Sequence, residues 1–191
     1  MKLLALLCPD CKHPLEPDND HLLSVCENCY SPIYLDEMGL RKISVLYAQP
    51  QAETEVMAWR PFWLFEGQVT ITHRRVQGGS KSSARDSEAF WAEPHHFYIP
   101  AWDLSIQAAQ TWGQNLLQAQ TLYQAGDGPP HPNLTPLTVS VADAKKLLEF
   151  IILSLEAQRD DWLRDLEFTV DLNEPALWAL PCTEGEQIVA K

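Results

Sequence analysis

Cys8-Pro9-Asp10-Cys11 and, after fourteen intervening residues, Cys26-Glu27-Asn28-Cys29 place four of the five cysteines in two Cys-x-x-Cys pairs. Paired thiolates at this spacing can wrap one tetrahedral ion. Each pair folds into a tight turn that aims both sulfurs at one point, and the segment between them is long enough for a hairpin that brings the turns together. Four unrelated buried cysteines would have no reason to fall into two identical pairs. The sequence therefore predicts one metal ion held by Cys8, Cys11, Cys26 and Cys29. Zinc is the default; iron of the rubredoxin kind also suits four sulfurs and is the less favoured ion.

Four protein ligands leave no position for water or substrate, whereas catalytic zinc keeps one open. The metal is thus expected to be structural, and no catalytic residue is assigned. His13 and His21 fall inside the segment but are not needed as ligands. A unit of about 45 residues buries too little core to fold alone, so the metal should supply most of its folding energy, roughly 10 kcal/mol or more in comparable peptides. Met1-Lys2-Leu3-Leu4-Ala5-Leu6-Leu7 reads as the first strand of the ribbon. It is too short for a secretory signal, and Leu7 rather than a small residue precedes Cys8.

These residues carry a resemblance. Leu3-Leu4, Cys8-Pro9-x-Cys11-Lys12, Pro14-Leu15, Cys26, Cys29 and Ser31-Pro32-Ile33-Tyr34-Leu35-Asp36 resemble the small zinc-ribbon family that includes the activator subunit of tRNA, rRNA and release-factor methyltransferases, together with its short bacterial relatives. The likeness covers residues 1–46. It implies a ribbon that binds zinc through such cysteines and docks onto a catalytic partner, which it stabilises without doing chemistry itself. Where the bacterial members continue Asp-Gly-Ile-Pro-Val, this chain has Asp36-Glu37-Met38-Gly39-Leu40.

The chain of 191 residues has room for the ribbon and one further domain. Its formal charge of −12 opposes a polyanionic partner, since nucleic acids bind chiefly through Lys and Arg on phosphates. Residues 1–46 carry Lys2, Lys12, Arg41 and Lys42 against seven acids, so the ribbon is not a basic reader. No apolar run reaches the roughly 18 residues that span a bilayer, and a cytoplasmic protein is expected, because thiolates held on metal suit a reducing compartment. Cys182, in Leu177-Trp178-Ala179-Leu180-Pro181-Cys182, reads as a buried and inert thiol.

Residues 48–56 are polar, contain Pro50 and read as a linker between the ribbon (1–47) and a domain spanning 57–191. Residues 57–76 are aromatic and β-branched, which predicts either one long bulged strand or a hairpin turning at Glu66-Gly67. Residues 77–88 are too polar to bury and predict a mobile loop, and Gly78-Gly79-Ser80-Lys81 lacks phosphate-loop spacing. Residues 57–85 carry Arg60, Arg74, Arg75, Lys81 and Arg85 against Glu66 alone, a net of +4. Together with Trp63, Phe65 and Tyr98, this stretch admits a single-stranded nucleic-acid reading; the alternative, preferred here, is that the aromatics form core and the arginines pair with acids of the C-terminal part. His95 and His96 would point to opposite faces of a strand and so cannot easily share an ion.

Asp103 is placed to cap a helix reaching about Ala125, with Ala108 and Trp112 inward, Gln107, Gln110, Gln114 and Gln118 outward, and Gly113 as a weak point. Ser140 caps a second, stronger helix, in which Val141, Ala144, Leu147, Leu148, Ile151, Ile152 and Leu155 form an apolar stripe. Phe168, Val170 and Leu172 alternate with polar residues as a half-buried strand, and a last strand runs through Leu180. The expected fold is α+β: an N-terminal zinc ribbon, then a domain with antiparallel strands and two helices. The leading function is a non-enzymatic, zinc-binding protein-interaction or activator module. The alternative is a nucleic-acid-associated protein of transcription, translation or RNA modification using residues 57–85. The stretch Leu40-Arg41-Lys42-Ile43-Ser44-Val45-Leu46-Tyr47 has strand character that a small ribbon cannot bury fully. Its edge could add to a partner's strand or to this chain's own second domain.

Overall fold

A computed structural model describes residues 6–16, 20–36, 39–78, 81–129, 133–159, 162–184 and 187–191. The expectation of a strand over Met1 to Leu7 lies largely outside those residues; within them, Leu7 forms a single bridge to Pro14. The chain is α+β. Near the cysteines, β1 (Leu23–Val25), β2 (Pro32–Asp36) and β3 (Gly39–Lys42) form an antiparallel sheet in the order β1-β2-β3. Adjacent residues of a strand face opposite ways, and β2 uses both faces. Ile33 packs against the cysteines, while Tyr34, with Leu23, joins the large core that contains Trp63, Phe97 and Leu148. Tyr34 meets Trp63 edge-on at 5.8 Å, and Leu22 N–H donates to Leu137 O at 2.7 Å.

The larger sheet is built on β5 (Ala58–Gln77), a single strand of 20 residues, so the unbroken alternative over residues 57–76 holds. On one edge it pairs with β6 (His95–Pro100). On the other it pairs first with β9 (Ala176–Cys182) and then with β8 (Trp162–Leu172), with register shifts near Thr72 and Arg75. Beyond β9 lie β4 (Val45–Ala48) and the short β7 (Ala125–Gly126). Most of these pairs are antiparallel as expected, but β4 runs parallel to β9, Val45 beside Leu177 and Tyr47 beside Ala179. A parallel pair needs a long connection, and residues 49–175 supply it. The Val45–Ala48 stretch pairs within the chain: β9 takes one edge over Val45 to Tyr47, and β7 takes the other at Tyr47 and Ala48.

Three helices, not two, occur among the described residues, α1 (Lys81–Phe90), α2 (Ile106–Ala119) and α3 (Val141–Ala157). The polar composition of residues 77–88 predicts a mobile loop. The structure instead folds Lys81–Phe90 as α1 because Ser83 and Ser87 are buried and polar contacts replace the missing apolar face; Gly79 and Ser80 lie outside the described residues. Helix α2 is capped by Ser105, two residues after Asp103, whose Oγ accepts from Ala108 N–H at 3.2 Å. It stops at Ala119, where Gln120 takes a left-handed φ of 46 and its side-chain amide hydrogen-bonds the backbone of His96. The inward face is also displaced, to Ala109, Gly113, Gln114, Leu116 and Leu117. Gly113 is the close-approach point rather than a weakness, since a Cβ there would overlap Ile151 Cδ1. Helix α3 follows its stripe and its Ser140 cap, whose Oγ accepts from Asp143 N–H at 3.1 Å. No helix among the described residues is long and apolar enough to cross a membrane.

Candidate metal centre

The two Cys-x-x-Cys turns are near copies of each other. Lys12 N–H donates to Cys8 O at 2.9 Å and Tyr30 N–H to Cys26 O at 2.8 Å; Cys8 N–H donates to His13 O at 2.9 Å and Cys26 N–H to Ser31 O at 3.0 Å. Each second cysteine is followed by a residue in the left-handed region, Lys12 at φ 62 and Tyr30 at φ 56. That reversal curls each turn so that both of its sulfurs face inward. Leu15 N–H closes the first turn on Leu6 O at 2.8 Å.

The four sulfurs converge. Cys8 Sγ and Cys29 Sγ are 3.6 Å apart, as are Cys11 Sγ and Cys26 Sγ, and all four lie within 4.8 Å of one another. A tetrahedron with metal–sulfur bonds of about 2.3 Å has edges of roughly 3.8 Å, so the spacing fits one tetrahedral ion and excludes bonded disulfides, whose sulfurs sit about 2 Å apart. Cys8 and Cys26 are fully buried, Cys11 and Cys29 half-buried. Among the described residues this is the one group of histidine, cysteine or acidic side chains compact enough to hold an ion, and neither histidine of the segment belongs to it.

The donor set is electrically unbalanced as it stands. The Asn28 side chain, and then the backbone of His13, lower the Cys11 thiol to about 6. Ser31 lowers Cys29 by a side-chain and a backbone hydrogen bond. Cys26 accepts from the backbone N–H of Cys29, which alone would lower it, but burial and the neighbouring sulfurs outweigh that and carry it up to about 11. Neighbouring thiolates thus resist one another's ionisation. A dication at their centre removes that resistance, which is the chemical sense in which these residues fit a metal.

Sequence reading missed the side chains that lock the two turns together. Asp10 and Asn28 hold the same third position in their respective turns, and each reaches across to the other turn. Asp10 accepts from Ser31 Oγ at 2.6 Å and from Lys42 Nζ at 2.7 Å, while Asn28 hydrogen-bonds the Cys11 sulfur. Those hydrogen bonds hold Asp10 below the usual carboxylate range, the Lys42 bond contributing most. The only signal in the sequence was the matching position of the two polar residues. Partners of this kind orient metal ligands.

The remaining candidates do not join this site. His95 is buried between Phe90, Trp91 and Phe97, and burial lowers its pKa; His96 lies on the other face of β6, 3.5 Å from Glu66. Trp63, Phe65 and Tyr98 are core residues, and Arg60 lies over the Trp102 ring. Cys182 is fully buried, its Sγ 3.7 Å from Leu180 O. A second polar centre was not foreseen at all. Glu156, 0 % exposed, accepts from Arg74 Nε (3.2 Å), Ser87 Oγ (2.8 Å), Trp91 Nε1 (2.8 Å) and Arg159 Nε (2.8 Å), joining β5, α1 and α3. Compared with protein-family models, with curated proteins and with solved structures, the chain finds no match.

Proposed function

We propose that this protein is a non-enzymatic protein-interaction module of the cytoplasm, in which Cys8, Cys11, Cys26 and Cys29 hold one structural zinc ion. The observation that carries the reading is the closure of the site. Four sulfurs at tetrahedral spacing, with their turns cross-tied by Asp10 and Asn28, leave no position for a substrate on the metal. Zinc is favoured over iron because it is the usual ion of closed four-cysteine sites. The interaction role rests on the resemblance of residues 1–46 to activator ribbons, which work by docking.

A nucleic-acid role draws less support. The aromatics of residues 57–85 that would stack on bases are buried, and Arg74 is engaged by Glu156. Cobalt substitution tests the closed site. The Co(II) protein should show the absorption of a tetrahedral all-sulfur site and should not change when azide or cyanide is added, whereas a shift would reveal an open position and count against a structural role. Recovery of a protein partner at endogenous expression level, stable at a salt concentration that strips single-stranded RNA, supports docking; salt-sensitive retention on RNA alone contradicts it.

A further inference from the structure

One edge of β5 is filled along its length, by β9 over residues 58–64 and by β8 over residues 67–77. The other is filled by β6 only from Phe62 to Gly67. Beyond Gly67, no strand among the described residues pairs with it. The cause is local. Strand β6 begins directly after Pro94, which has no N–H to offer a ladder and turns the chain away. Helix α1 runs beside the vacant edge without closing on it, leaving a groove of about 610 Å³ lined by Val69, Ile71 and Arg74 of the strand and by Ala84, Ser87 and Trp91 opposite. At its inner end the Gln68 side-chain amide donates to Val69 O at 3.0 Å and also to Trp91 O, so a side chain stands where the N–H of a neighbouring strand would be.

We propose that this groove receives one extended peptide segment of a partner protein, added as a strand to β5 and carrying two acidic residues followed by alternating apolar ones. The filled edge shows which pattern suits β5. In β8, Asp165 and Glu167 lie opposite Arg75 and His73, while Phe168 and Val170 lie opposite Ile71 and Val69. Side chains of a strand flank both of its neighbours, so a strand added at the vacant edge meets Arg75 and His73 on one stretch and Ile71 and Val69 on the next, while Glu88 on the helix side of the groove disfavours any further acid set against it. A second copy of this chain cannot present its own vacant edge, because its α1 stands in front of it. A single segment with a free edge is what fits between strand and helix. The groove shares no lining residue with the cysteine cluster, so this inference goes beyond the metal-site reading and can fail without it.

The test uses the full metal-loaded chain and a fluorescent decapeptide of sequence Leu-Arg-Asp-Leu-Glu-Phe-Thr-Val-Asp-Leu. The peptide should bind, and Ala84→Trp, which fills the groove from the helix side without touching β8, should weaken it by about tenfold or more. A peptide with both central acids, the Asp and Glu of Asp-Leu-Glu, changed to Lys should bind about fivefold less tightly, chiefly because a Lys then faces Arg75 where the Asp did. Amide exchange of the unmodified protein gives a readout independent of any variant: binding should slow exchange of the β5 amides beyond Gly67. No binding, equal affinity for Ala84→Trp, or unchanged exchange in β5 would overturn the proposal.

Discussion

The cysteine-bearing segment and the larger sheet solve the same problem by different means. Around the sulfurs the core amounts to Cys8, Cys26, Leu15 and Ile33, with Leu6 and Leu40 at its margin. The sheet buries Trp63, Phe65, Phe97, Leu148 and Ile152 in one cluster and Phe62, Tyr98, Trp102 and Leu180 in another. Apolar burial stabilises by roughly 25 cal/mol per Å², so the second region has far more packing of its own to fold on than the first. The first also lends Leu23 and Tyr34 to the sheet's core, and the chain continues from it into β4. A metal held by the four cysteines would therefore prop part of the sheet as well as its own turns.

The largest effect should come from breaking the metal side of this contrast. Cys26→Ser should abolish metal binding and unfold residues 6–42, with a loss on the scale of about 10 kcal/mol for that segment. Metal content together with far-UV and tryptophan signals will show it, the latter because Trp63 loses Tyr34. The sheet should survive with a lowered melting temperature rather than collapse. On the other side of the contrast, Glu156→Ala leaves Arg74 and Arg159 without their carboxylate in a buried site and should cost about 3–5 kcal/mol, roughly a 10 °C fall in Tm, with metal content unchanged. Tyr34→Ala tests the joint between the regions. It removes a ring 2 % exposed and should cost about 3 kcal/mol in the sheet while the ion stays bound.

Part of this was legible because local rules and tertiary structure agree. The α3 stripe, its Ser140 cap, the alternation of β8 and the spacing of the cysteines are all periodic or near-periodic signals. Where the sequence misleads, a distant partner decides. Nothing local makes Lys81–Phe90 a helix; Glu156, which no sequence pattern singles out, is what holds Ser87 and Trp91. The face of α2 is set by how closely Gly113 approaches Ile151, not by its glutamines. The parallel pairing of β4 with β9 joins two strands whose separation along the chain hides any hairpin signal. At the site, ligand spacing is visible in sequence, but the cross-ties of Asp10 and Asn28 need the folded turns.

A smaller effect sharpens the contrast through pH. Burial holds His95 below its ordinary 6.5, so the unfolded chain takes up a proton that the folded chain resists. The stability tied to neutral His95 is present above about pH 6.5 and is lost as pH falls below it. His95→Phe should flatten the pH dependence of the sheet's Tm between about pH 7 and pH 5, measured by calorimetry, and leave metal content unaffected.

The most direct test of the central claim is elemental analysis of the full-length protein purified without added metal, paired with the same analysis of Cys26→Ser. The account predicts one zinc ion per unsubstituted chain and none in the variant. Protein that folds its N-terminal segment with no metal, or that retains its metal without Cys26, would contradict it.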